Sequence, residues 1–295
     1  MARTAKRVLI TGAWGQLGQD LMRAFSDATV LGVGSVEMDI TNAEHTRQAI
    51  AEWRPDLVIH SAAYTDVDGC EADPDRAFRV NALGTRNVAL GCQAAEAALV
   101  YVSTDYVFDG RRVGVPYTEY DAVSPLSVYG RSKLAGEEYV QRLLDRYFIV
   151  RTSWLHGLSG KNFLRTILSW AKQGRELTVV DDQVGSPTFT FDLAPAIRRL
   201  AETGQYGLYH VTNAGSCSWH ALAQEALGLF AGRCPEVAKV SLRPITTEQI
   251  GRPAPRPFYS VLRNYNLELA GLPRLRPYQE ALREFIQALE LEQAG

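Results

Sequence analysis

The chain has 295 residues, 46% of them hydrophobic and 22% charged, which is the balance of a soluble globular protein with one large or two ordinary domains. Its formal net charge of -2 gives no electrostatic basis for binding nucleic acid or an anionic membrane. The first apolar run, residues 8–10, is too short for a signal peptide, and no later run approaches the ~18 apolar residues of a membrane span. We therefore expect a cytoplasmic protein without a nucleic-acid or membrane partner, and a monomer and a homodimer both stay open.

The cysteines and histidines are scattered along the chain. None of the four cysteines belongs to a C-x-x-C pair, so we expect reduced thiols rather than a disulfide framework or a zinc site. The five histidines show no H-E-x-x-H or other paired spacing, which argues against a histidine-based metal site. The sequence therefore predicts no bound metal.

The first half of the chain alternates short apolar runs with longer helical patterns. These patterns predict strands at 7–10, 29–31, 57–60, 99–103 and 147–151 and helices at 16–25, 43–53, 74–98 and 128–144. The apolar strand centres do not alternate with polar residues, which indicates strands buried on both faces of a parallel sheet. Residues 1–150 are therefore predicted to form a doubly wound α/β domain of Rossmann type.

The regular alternation loosens after residue 151. Helices are predicted at 163–172, 193–202, 219–230 and 277–291, and strands at 177–180 and 206–211. Prolines cluster between residues 244 and 277, which indicates a loop-rich stretch. We interpret residues 151–295 as a smaller mixed α/β lobe that binds the substrate, with some segments of about 175–205 returning to the first domain.

Three glycines lie between the first predicted strand and the first predicted helix. Gly12, Gly15 and Gly18 allow a tight turn, a close approach of the backbone to a pyrophosphate and close packing of the helix on the strand. The free N–H groups of a helix N-terminus attract phosphate charge. In this position the pattern predicts a dinucleotide-binding turn rather than an ordinary strand-to-helix connection. Residues 1–150 are therefore predicted to be an NAD(P)-binding domain.

The end of the second predicted strand bears on the choice of cofactor. NAD-specific sites place a carboxylate there for the ribose, but residues 31–35 read Leu-Gly-Val-Gly-Ser. This absence favours NADPH and leaves NADH as an alternative. Farther along, Asp39 is interpreted either as a contact to the adenine amine or as a helix-capping acid. The small residues at 61–63 are expected to pass beneath the nicotinamide half of the cofactor.

Tyr129 and Lys133 lie four residues apart on a predicted helix and therefore on one face. A cation favours the phenolate form of a tyrosine, whose ordinary pKa near 10 suits it poorly to acid–base catalysis. We expect Lys133 to lower the pKa of Tyr129 and to contact the nicotinamide ribose, while Tyr129 protonates a carbonyl oxygen. Thr104, at the end of the fourth strand, is expected to donate a hydrogen bond to that oxygen. Behind a glycine-rich turn, this constellation indicates a reductase rather than an exposed helix face.

The glycine turn, the Ser-Thr turn and the Tyr-x-x-x-Lys pair together resemble the extended short-chain dehydrogenase/reductase family. Within it, four segments are similar to the dTDP-4-dehydrorhamnose reductases: residues 103–110, 124–130, 151–154 and 182–188. The similarity covers nearly the whole chain. It implies reduction of dTDP-4-dehydro-β-L-rhamnose to dTDP-L-rhamnose, in the biosynthesis of a nucleotide sugar, with the family's catalytic triad at Thr104, Tyr129 and Lys133.

The resemblance also implies which residues contact the cofactor and the substrate. The cofactor side maps onto Gly12, Trp14, Gly15, Gln16, Leu17, Gly18, Asp39, Ile40, Ala62, Ala63, Tyr64, Asn81, Tyr129 and Lys133. The substrate side maps onto Thr104, Tyr106, Tyr129, Trp154, Asn162 and Arg256. A flat indole such as Trp154 can cover a sugar or base face, and an arginine such as Arg256 suits a diphosphate. The alternatives are core packing for Trp154 and a solvated charge for Arg256.

Two other functions stay open from the sequence. One is a sugar-nucleotide dehydratase or epimerase, although dehydratases of this fold typically carry Thr-Asp-Glu where residues 104–106 read Thr-Asp-Tyr. The other is a binding module, since the NADP-binding regulatory subunit of a methionine adenosyltransferase resembles the same reductases. The intact Thr104, Tyr129 and Lys133 favour the reductase.

Overall fold

The computed structural model describes residues 6–232 and 234–291. The first half contains five strands and six α-helices, in the order β1 (Arg7–Thr11), α1 (Gln16–Ala24), β2 (Thr29–Val33), α2 (Ala43–Trp53), β3 (Leu57–His60), α3 (Val67–Ala72), α4 (Pro74–Phe78), α5 (Thr85–Ala95), β4 (Ala98–Thr104), α6 (Val128–Leu143) and β5 (Tyr147–Thr152). A π-helical segment, Arg79–Gly84, joins α4 to α5, and a 3-10 turn, Asp105–Val107, follows β4.

The second half is built from shorter pieces. They follow in the order β6 (Leu155–His156), α7 (Phe163–Lys172), β7 (Leu177–Val180), β8 (Val184–Gly185), β9 (Thr188–Phe189), α8 (Thr190–Thr203), β10 (Gly207–His210), β11 (Cys217–Ser218), α9 (Trp219–Ala231), β12 (Leu242–Ile245), α10 (Thr247–Ile250), α11 (Tyr265–Leu269) and α12 (Tyr278–Leu291). A 3-10 turn, Pro235–Lys239, precedes β12.

Six strands form one parallel sheet in the order β2-β1-β3-β4-β5-β10. This arrangement confirms the predicted doubly wound α/β fold. The chain order reverses beside β1, so the carboxyl ends of β1, β3 and β4 open onto a crevice where ligands bind in this fold. The sixth strand, β10, comes from the second half of the chain, so residues beyond 151 complete the first domain.

Helices cover both faces of the sheet. On one face, α1 and α8 contribute Leu21 and Ile197 to a core shared with β1, β3 and β5. On the other, α2, α5 and α6 contribute Ile50, Val88 and Val140. Burial on both sides explains why the strand sequences do not alternate between apolar and polar residues.

The smaller lobe has its own core between α7, α9 and α12. Leu164, Leu222 and Phe285 are fully buried there, and Phe189 from β9 completes the packing. The lobe's strands pair two by two, as β12 with β7, β11 with β8 and β6 with β9. Because β9 runs directly into α8, the core of the lobe is joined without a linker to a helix that packs on the sheet.

The predicted helix at 74–98 is wrong in its continuity and its end. The π-helical segment interrupts it, and Glu96 ends α5 by adopting a left-handed conformation with φ 54°. Ala98, expected to be helical, is the first residue of β4. The six-residue helix α3 was not predicted, since its apolar pattern is too short to detect, and its N-terminus is capped by the Asp66 side chain.

Within residues 6–232 and 234–291, no helix is both long and apolar enough to cross a membrane. The same part of the chain contains no group of three or more His, Cys, Asp or Glu side chains arranged to hold a metal ion. Its four cysteines are free thiols that are buried or half-buried.

Candidate active site

The glycine-rich turn between β1 and α1 leaves no room for side chains. Gly12 has φ 69°, and a Cβ there would lie 2.8 Å from the Ala62 backbone nitrogen. A Cβ on Gly18 would lie 2.6 Å from Ala13 Cα. Gly15 caps α1 without a side-chain hydrogen bond, and the first turn of α1 has no acidic residue. The turn therefore presents bare N–H groups at a helix N-terminus, which fits a cofactor pyrophosphate.

The other predicted residues of this turn have separate positions. Trp14 is 60% exposed, whereas the Leu17 side chain is buried in the core. Gln16 reaches the smaller lobe, where its Oε1 accepts hydrogen bonds from Gly157 N at 3.0 Å and Asn162 Nδ2 at 2.9 Å. The same glutamine thus links the glycine-rich turn to the smaller lobe.

Asp39 and Ile40 lie in the turn that leads to α2. Asp39 is exposed, and its Oδ1 accepts from the Thr41 N–H at 2.9 Å and from the Thr41 hydroxyl at 2.8 Å. Asn42, rather than Asp39, caps α2 through a bond from His45 N. Ile40 is buried beside Gly84, where a Cβ would come within 2.8 Å of Ile40 Cδ1.

Asn81 ties the loop after β3 to α6, the helix that carries Tyr129 and Lys133. Its Oδ1 accepts from Tyr64 N at 2.8 Å, and its Nδ2 donates to Tyr64 O and Ser132 Oγ, both at 3.0 Å. The side chain is 1% exposed, and it comes from the π-helical segment, a distortion that often marks functional sites. Asn81 therefore sets the path of the loop that carries Ala62 and Ala63.

The predicted catalytic residues meet at the carboxyl end of β4. Thr104 is the last residue of that strand, and Tyr129 is in the first turn of α6, which begins at the Ser127 cap. Lys133 follows one turn later and is 2% exposed. Its Nζ donates to Val102 O at 2.8 Å and lies 4.1 Å from the centre of the Tyr101 ring.

Two neighbours of Thr104 contact its hydroxyl in the turn that follows β4. The Thr104 hydroxyl donates to Asp105 Oδ1 at 3.1 Å and accepts from Tyr106 N at 3.2 Å. The Tyr106 ring meets the Tyr129 ring edge-on, with 5.5 Å between centroids. Asp105, which the sequence motifs did not single out, is 2% exposed, and burial raises the pKa of its carboxyl to about 7.

Burial controls ionisation in this pocket. It raises the pKa of the Tyr129 phenol well above its usual range, while the adjacent Thr104 hydroxyl acts in the opposite direction. Burial also lowers the pKa of Lys133 to about 7, opposed by the charge of Glu137. The expected lowering of the Tyr129 pKa by Lys133 is therefore wrong for this arrangement, because desolvation of the phenolate dominates and Lys133 is itself desolvated.

Trp154 lies in a strained conformation at the boundary between the lobes. Its φ of 47° is in the left-handed region, which costs energy for a residue with a large side chain. The indole stacks on Trp219 with 3.5 Å between centroids and 8° between planes. A Cβ on Gly185 would lie 2.6 Å from Trp154 Nε1, so the absence of a side chain there makes room for the indole. One face of Trp154 is thus covered by protein.

Asn162 and Arg256 are both engaged with other protein groups. The Asn162 amide caps α7 by accepting from Arg165 N, and it donates to Gln16 and to Gly157 O. Arg256 forms a bidentate pair with Asp68, with both N–O distances at 3.0 Å. That pair joins the proline-rich loop of the smaller lobe to α3. Burial raises the pKa of Tyr106, and the positive charge of Arg256 opposes that rise.

Comparison with known proteins assigns the chain to a family. The family model described as RmlD substrate binding domain matches residues 6–291. A dTDP-4-dehydrorhamnose reductase of Streptomyces griseus is 42% identical over 96% of this chain and 94% of its own length. The spore coat polysaccharide biosynthesis protein SpsK of Bacillus subtilis is 42% identical, over 95% of this chain and 97% of its own. The chain belongs to the RmlD family.

The fold agrees with a solved structure of the RmlD family. The crystal structure of the dTDP-4-dehydrorhamnose reductase of Bacillus anthracis, in complex with NADP, matches with a TM-score of 0.91 at 42% identity, covering 96% of this chain and 99% of that one. The resemblance seen in the sequence motifs is thereby confirmed. The relatives carry different names at similar identity, so membership of the RmlD family does not by itself identify the sugar.

The RmlD-family site also contains a carboxylate that no sequence motif assigned. Glu37 Oε2 accepts from Gly34 N at 2.7 Å, directly after β2 ends at Val33. Residues 31–35, where a ribose carboxylate is expected, contain no acid. Sequence motifs missed this acid because it lies in the turn after the strand and not in the strand itself. In that turn Met38 N donates to Gly34 O, which brings Glu37 back to the end of β2.

Proposed function

We propose that this protein is a dTDP-sugar 4-ketoreductase that reduces dTDP-4-dehydro-β-L-rhamnose to dTDP-L-rhamnose with NADPH, and that it also accepts NADH. The supporting observation is the placement of Thr104, Tyr129 and Lys133 together at the carboxyl end of β4. That edge of the sheet also carries the glycine-rich turn of β1. A dinucleotide on the turn and a ketone beside Tyr129 would share one crevice.

The cofactor is proposed to lie along the carboxyl ends of β1, β2 and β3. The N–H groups at the start of α1 bind the pyrophosphate, and the loop after β3 supports the nicotinamide half. When bound, the reduced nicotinamide supplies a hydride to the carbonyl carbon. The residues proposed to hold it are Gly12, Trp14, Gly15, Gln16, Leu17, Gly18, Asp39, Ile40, Ala62, Ala63, Tyr64, Asn81, Tyr129 and Lys133.

Tyr129 is proposed to donate the proton that the reaction needs. Because burial raises its pKa, the phenol is protonated at neutral pH and can give its Oη proton to the carbonyl oxygen. When the substrate binds, the Thr104 hydroxyl turns from Asp105 to the same oxygen and stabilises the alkoxide that forms. Lys133 has two ammonium protons beyond the one donated to Val102 O. We propose that they hydrogen-bond the cofactor ribose and the Tyr129 oxygen.

The substrate is proposed to lie between Tyr106, Trp154 and the Arg256–Asp68 pair. Trp154 is half-buried, and the part of its indole that stays exposed can contact an apolar part of the sugar or base. Arg256 keeps unused N–H donors beyond its bonds to Asp68 and Ala254 O, and these suit a diphosphate oxygen. Asn162 contributes by fixing the start of α7 against Gln16.

The stoichiometry of the cofactor tests this function. A reductase hands its hydride to the product and releases an oxidised cofactor in each turnover. We therefore expect one NADPH to be consumed per dTDP-4-dehydrorhamnose converted, followed as loss of reduced-nicotinamide absorbance. dTDP-glucose, which has no ketone, serves as the control and should leave the absorbance unchanged.

Two other outcomes would replace the proposal. Conversion of a 4-hydroxy sugar nucleotide without net change in the cofactor would identify a dehydratase or epimerase, because those enzymes return the hydride. Tight NADP binding without turnover of any keto sugar, together with co-purification of a partner enzyme, would identify a regulatory subunit.

A further inference from the structure

Two neighbours fix the indole of Trp154 in one position. Trp219 stacks on a face of the ring, with 3.5 Å between centroids and 8° between planes. A Cβ on Gly185 would lie 2.6 Å from Trp154 Nε1 and 2.7 Å from Cζ2, so only the bare backbone of that residue admits the indole. The ring therefore lies in a slot formed by an aromatic face and a glycine.

Both walls of this slot are held by the structure around them. Gly185 belongs to β8, where Val184 N donates to Phe258 O at 2.8 Å. The same strand pairs with β11, which leads directly into Trp219 at the start of α9. Trp219 also packs against Phe163, with 4.7 Å between ring centroids. Because the walls are anchored, the indole is the part that would move if the slot were altered.

The backbone of Trp154 is strained in a way that these contacts offset. Its φ of 47° lies in the left-handed region, which a residue with a large side chain rarely adopts. Such conformations persist only where the surroundings determine them, and they cluster at ligand sites. Trp154 O also accepts from Thr188 N at 3.1 Å, which ties the strained residue to β9. A relaxed backbone would carry the indole elsewhere, so the strain maintains the position of the ring.

This position is next to the proposed reacting group. Trp154 follows Thr152, the last residue of β5, by two residues, and Thr152 pairs with Thr104 in the sheet. A ketone placed between Thr104 and Tyr129 puts the sugar, rather than the base, of a nucleotide sugar nearest to Trp154. The indole is half-buried, so part of it stays exposed for that contact.

We propose that Trp219 and Gly185 are positioning residues that hold Trp154 against the sugar of the nucleotide-sugar substrate. Neither needs to touch the substrate, because each acts through the indole. The inference rests on the proposed function in requiring that a dTDP-sugar binds with its keto carbon beside Tyr129. A ring that is in place before the substrate arrives spares the cost of ordering a side chain on binding, and this strengthens the binding of the sugar.

Three substitutions test the slot without altering Trp154 itself. Trp219→Leu removes the flat support, whereas Trp219→Phe keeps a ring there. Gly185→Ala presses a methyl group on the indole from a different element. Gly228→Ala and Trp170→Leu are matched controls, because a Cβ on Gly228 would meet nothing within 4 Å and Trp170 is 42% exposed.

Calorimetry measures the affinity that the sugar adds. dTDP and dTDP-L-rhamnose are titrated into each protein in the presence of NADP. The ratio of the Kd of dTDP to that of dTDP-L-rhamnose should fall about tenfold in Trp219→Leu and in Gly185→Ala, which is the size expected for one well-placed aromatic contact. Trp219→Phe should keep this ratio within about threefold of the wild-type value, since a ring still supports the indole. Both controls should leave the ratio unchanged.

Circular dichroism reports the stack itself. Two indoles stacked this closely couple their electronic transitions and give an exciton couplet in the spectrum. The couplet should be present in the wild-type protein and in both controls, and it should disappear in Trp219→Leu and in Trp219→Phe. Trp219→Phe therefore loses the signal but keeps the affinity for the sugar. Thermal unfolding of each variant confirms that it is folded.

The outcomes separate this inference from the proposed function. If the wild-type protein gives no exciton couplet, the stack does not form and the inference is refuted. If Trp219→Leu and Gly185→Ala leave the ratio of the two Kd values unchanged, the positioning role is refuted and the reductase proposal stands. A loss in Trp219→Phe as large as that in Trp219→Leu would refute the role of the ring as a support. If the wild-type protein binds neither dTDP nor dTDP-L-rhamnose, the substrate site itself is refuted and both proposals fail.

Discussion

At the scale of single residues, desolvation determines the pKa values of the ionisable groups in the site. Tyr129 and Lys133 lie on one face of α6, as the spacing predicts, but burial raises the pKa of the phenol and lowers that of the ammonium. A protonated phenol is the form needed to reduce a ketone, since the product oxygen must gain a proton. Asp105, with its pKa raised to about 7, adds a group in the same pocket that is partly protonated near neutral pH.

Removal of the Tyr129 hydroxyl should abolish most of the activity. Tyr129→Phe keeps the ring that packs against Tyr106 but eliminates the proton donor. We expect kcat to fall by roughly 10²–10⁴-fold, with NADPH binding retained. Tyr139→Phe, on the same helix, should leave kcat unchanged. Stopped-flow turnover and nicotinamide fluorescence test this, and a Tyr129→Phe variant with more than half of the wild-type rate would contradict the assignment.

At the scale of elements, a buried ion pair fixes α6 on the sheet. Glu137 lies one turn after Lys133 and accepts from Arg151 Nη2 at 2.6 Å and Nε at 2.9 Å. Ser103 on β4 also donates to this carboxylate, at 2.5 Å. The helix that carries Tyr129 and Lys133 is therefore tied to both β4 and β5, and the pair is almost completely buried.

Breaking that pair should destabilise the whole domain. Glu137→Ala leaves the Arg151 guanidinium buried without its counter-charge, and the free energy of unfolding should fall by about 3–5 kcal/mol. Its neighbour Glu138 forms an exposed pair with Arg142, so Glu138→Ala should cost no more than about 0.5 kcal/mol. Urea unfolding of both variants provides the comparison. Equal losses would show that the buried pair does not anchor the helix.

At the scale of the whole molecule, the two lobes meet around β6 and the start of α8. Gln16 and Asp20 of α1 reach Asn162 and Thr190 of the second half. His156 lies at this junction, 1% exposed and beside Phe189 and Trp219. Among the described residues neither of its ring nitrogens has a hydrogen-bond partner, and burial lowers its pKa to about 3.

This histidine should make the protein sensitive to mild acid. The unfolded chain takes up a proton near pH 6.5 and the folded state does not, so the stability present above that pH is lost as the pH falls. Between pH 8 and pH 5.5 this group alone should lower the free energy of unfolding by about 1.4 kcal/mol. His156→Phe should remove that part of the loss, whereas a substitution of the exposed His45 should not.

Denaturant unfolding at the two pH values measures the effect. Any packing cost of the larger phenylalanine is the same at both pH values, so it cancels in the difference between them. If the pH dependence is unchanged in His156→Phe, the pKa of His156 does not differ between the folded and unfolded states, and the prediction is refuted.

The sequence by itself determined those features of the fold and the site that depend on local periodicity. Unbroken apolar runs predict the parallel strands, glycines at the end of the first run predict the cofactor turn, and a spacing of four places Tyr129 and Lys133 on one helix face. Each signal lies within a few residues, where backbone geometry dictates which side chains face one another. The doubly wound fold follows from the same alternation.

Only the tertiary structure decided which distant residues meet. The pairing of Arg256 with Asp68, the stacking of Trp154 on Trp219 and the return of β10 to the sheet join segments far apart in the chain. Glu37 reaches the end of β2 because a turn folds back, which the strand sequence does not encode. Such contacts are selected by the packing of whole elements, and so are the pKa values that depend on burial, because desolvation is a property of the folded surroundings rather than of the residue.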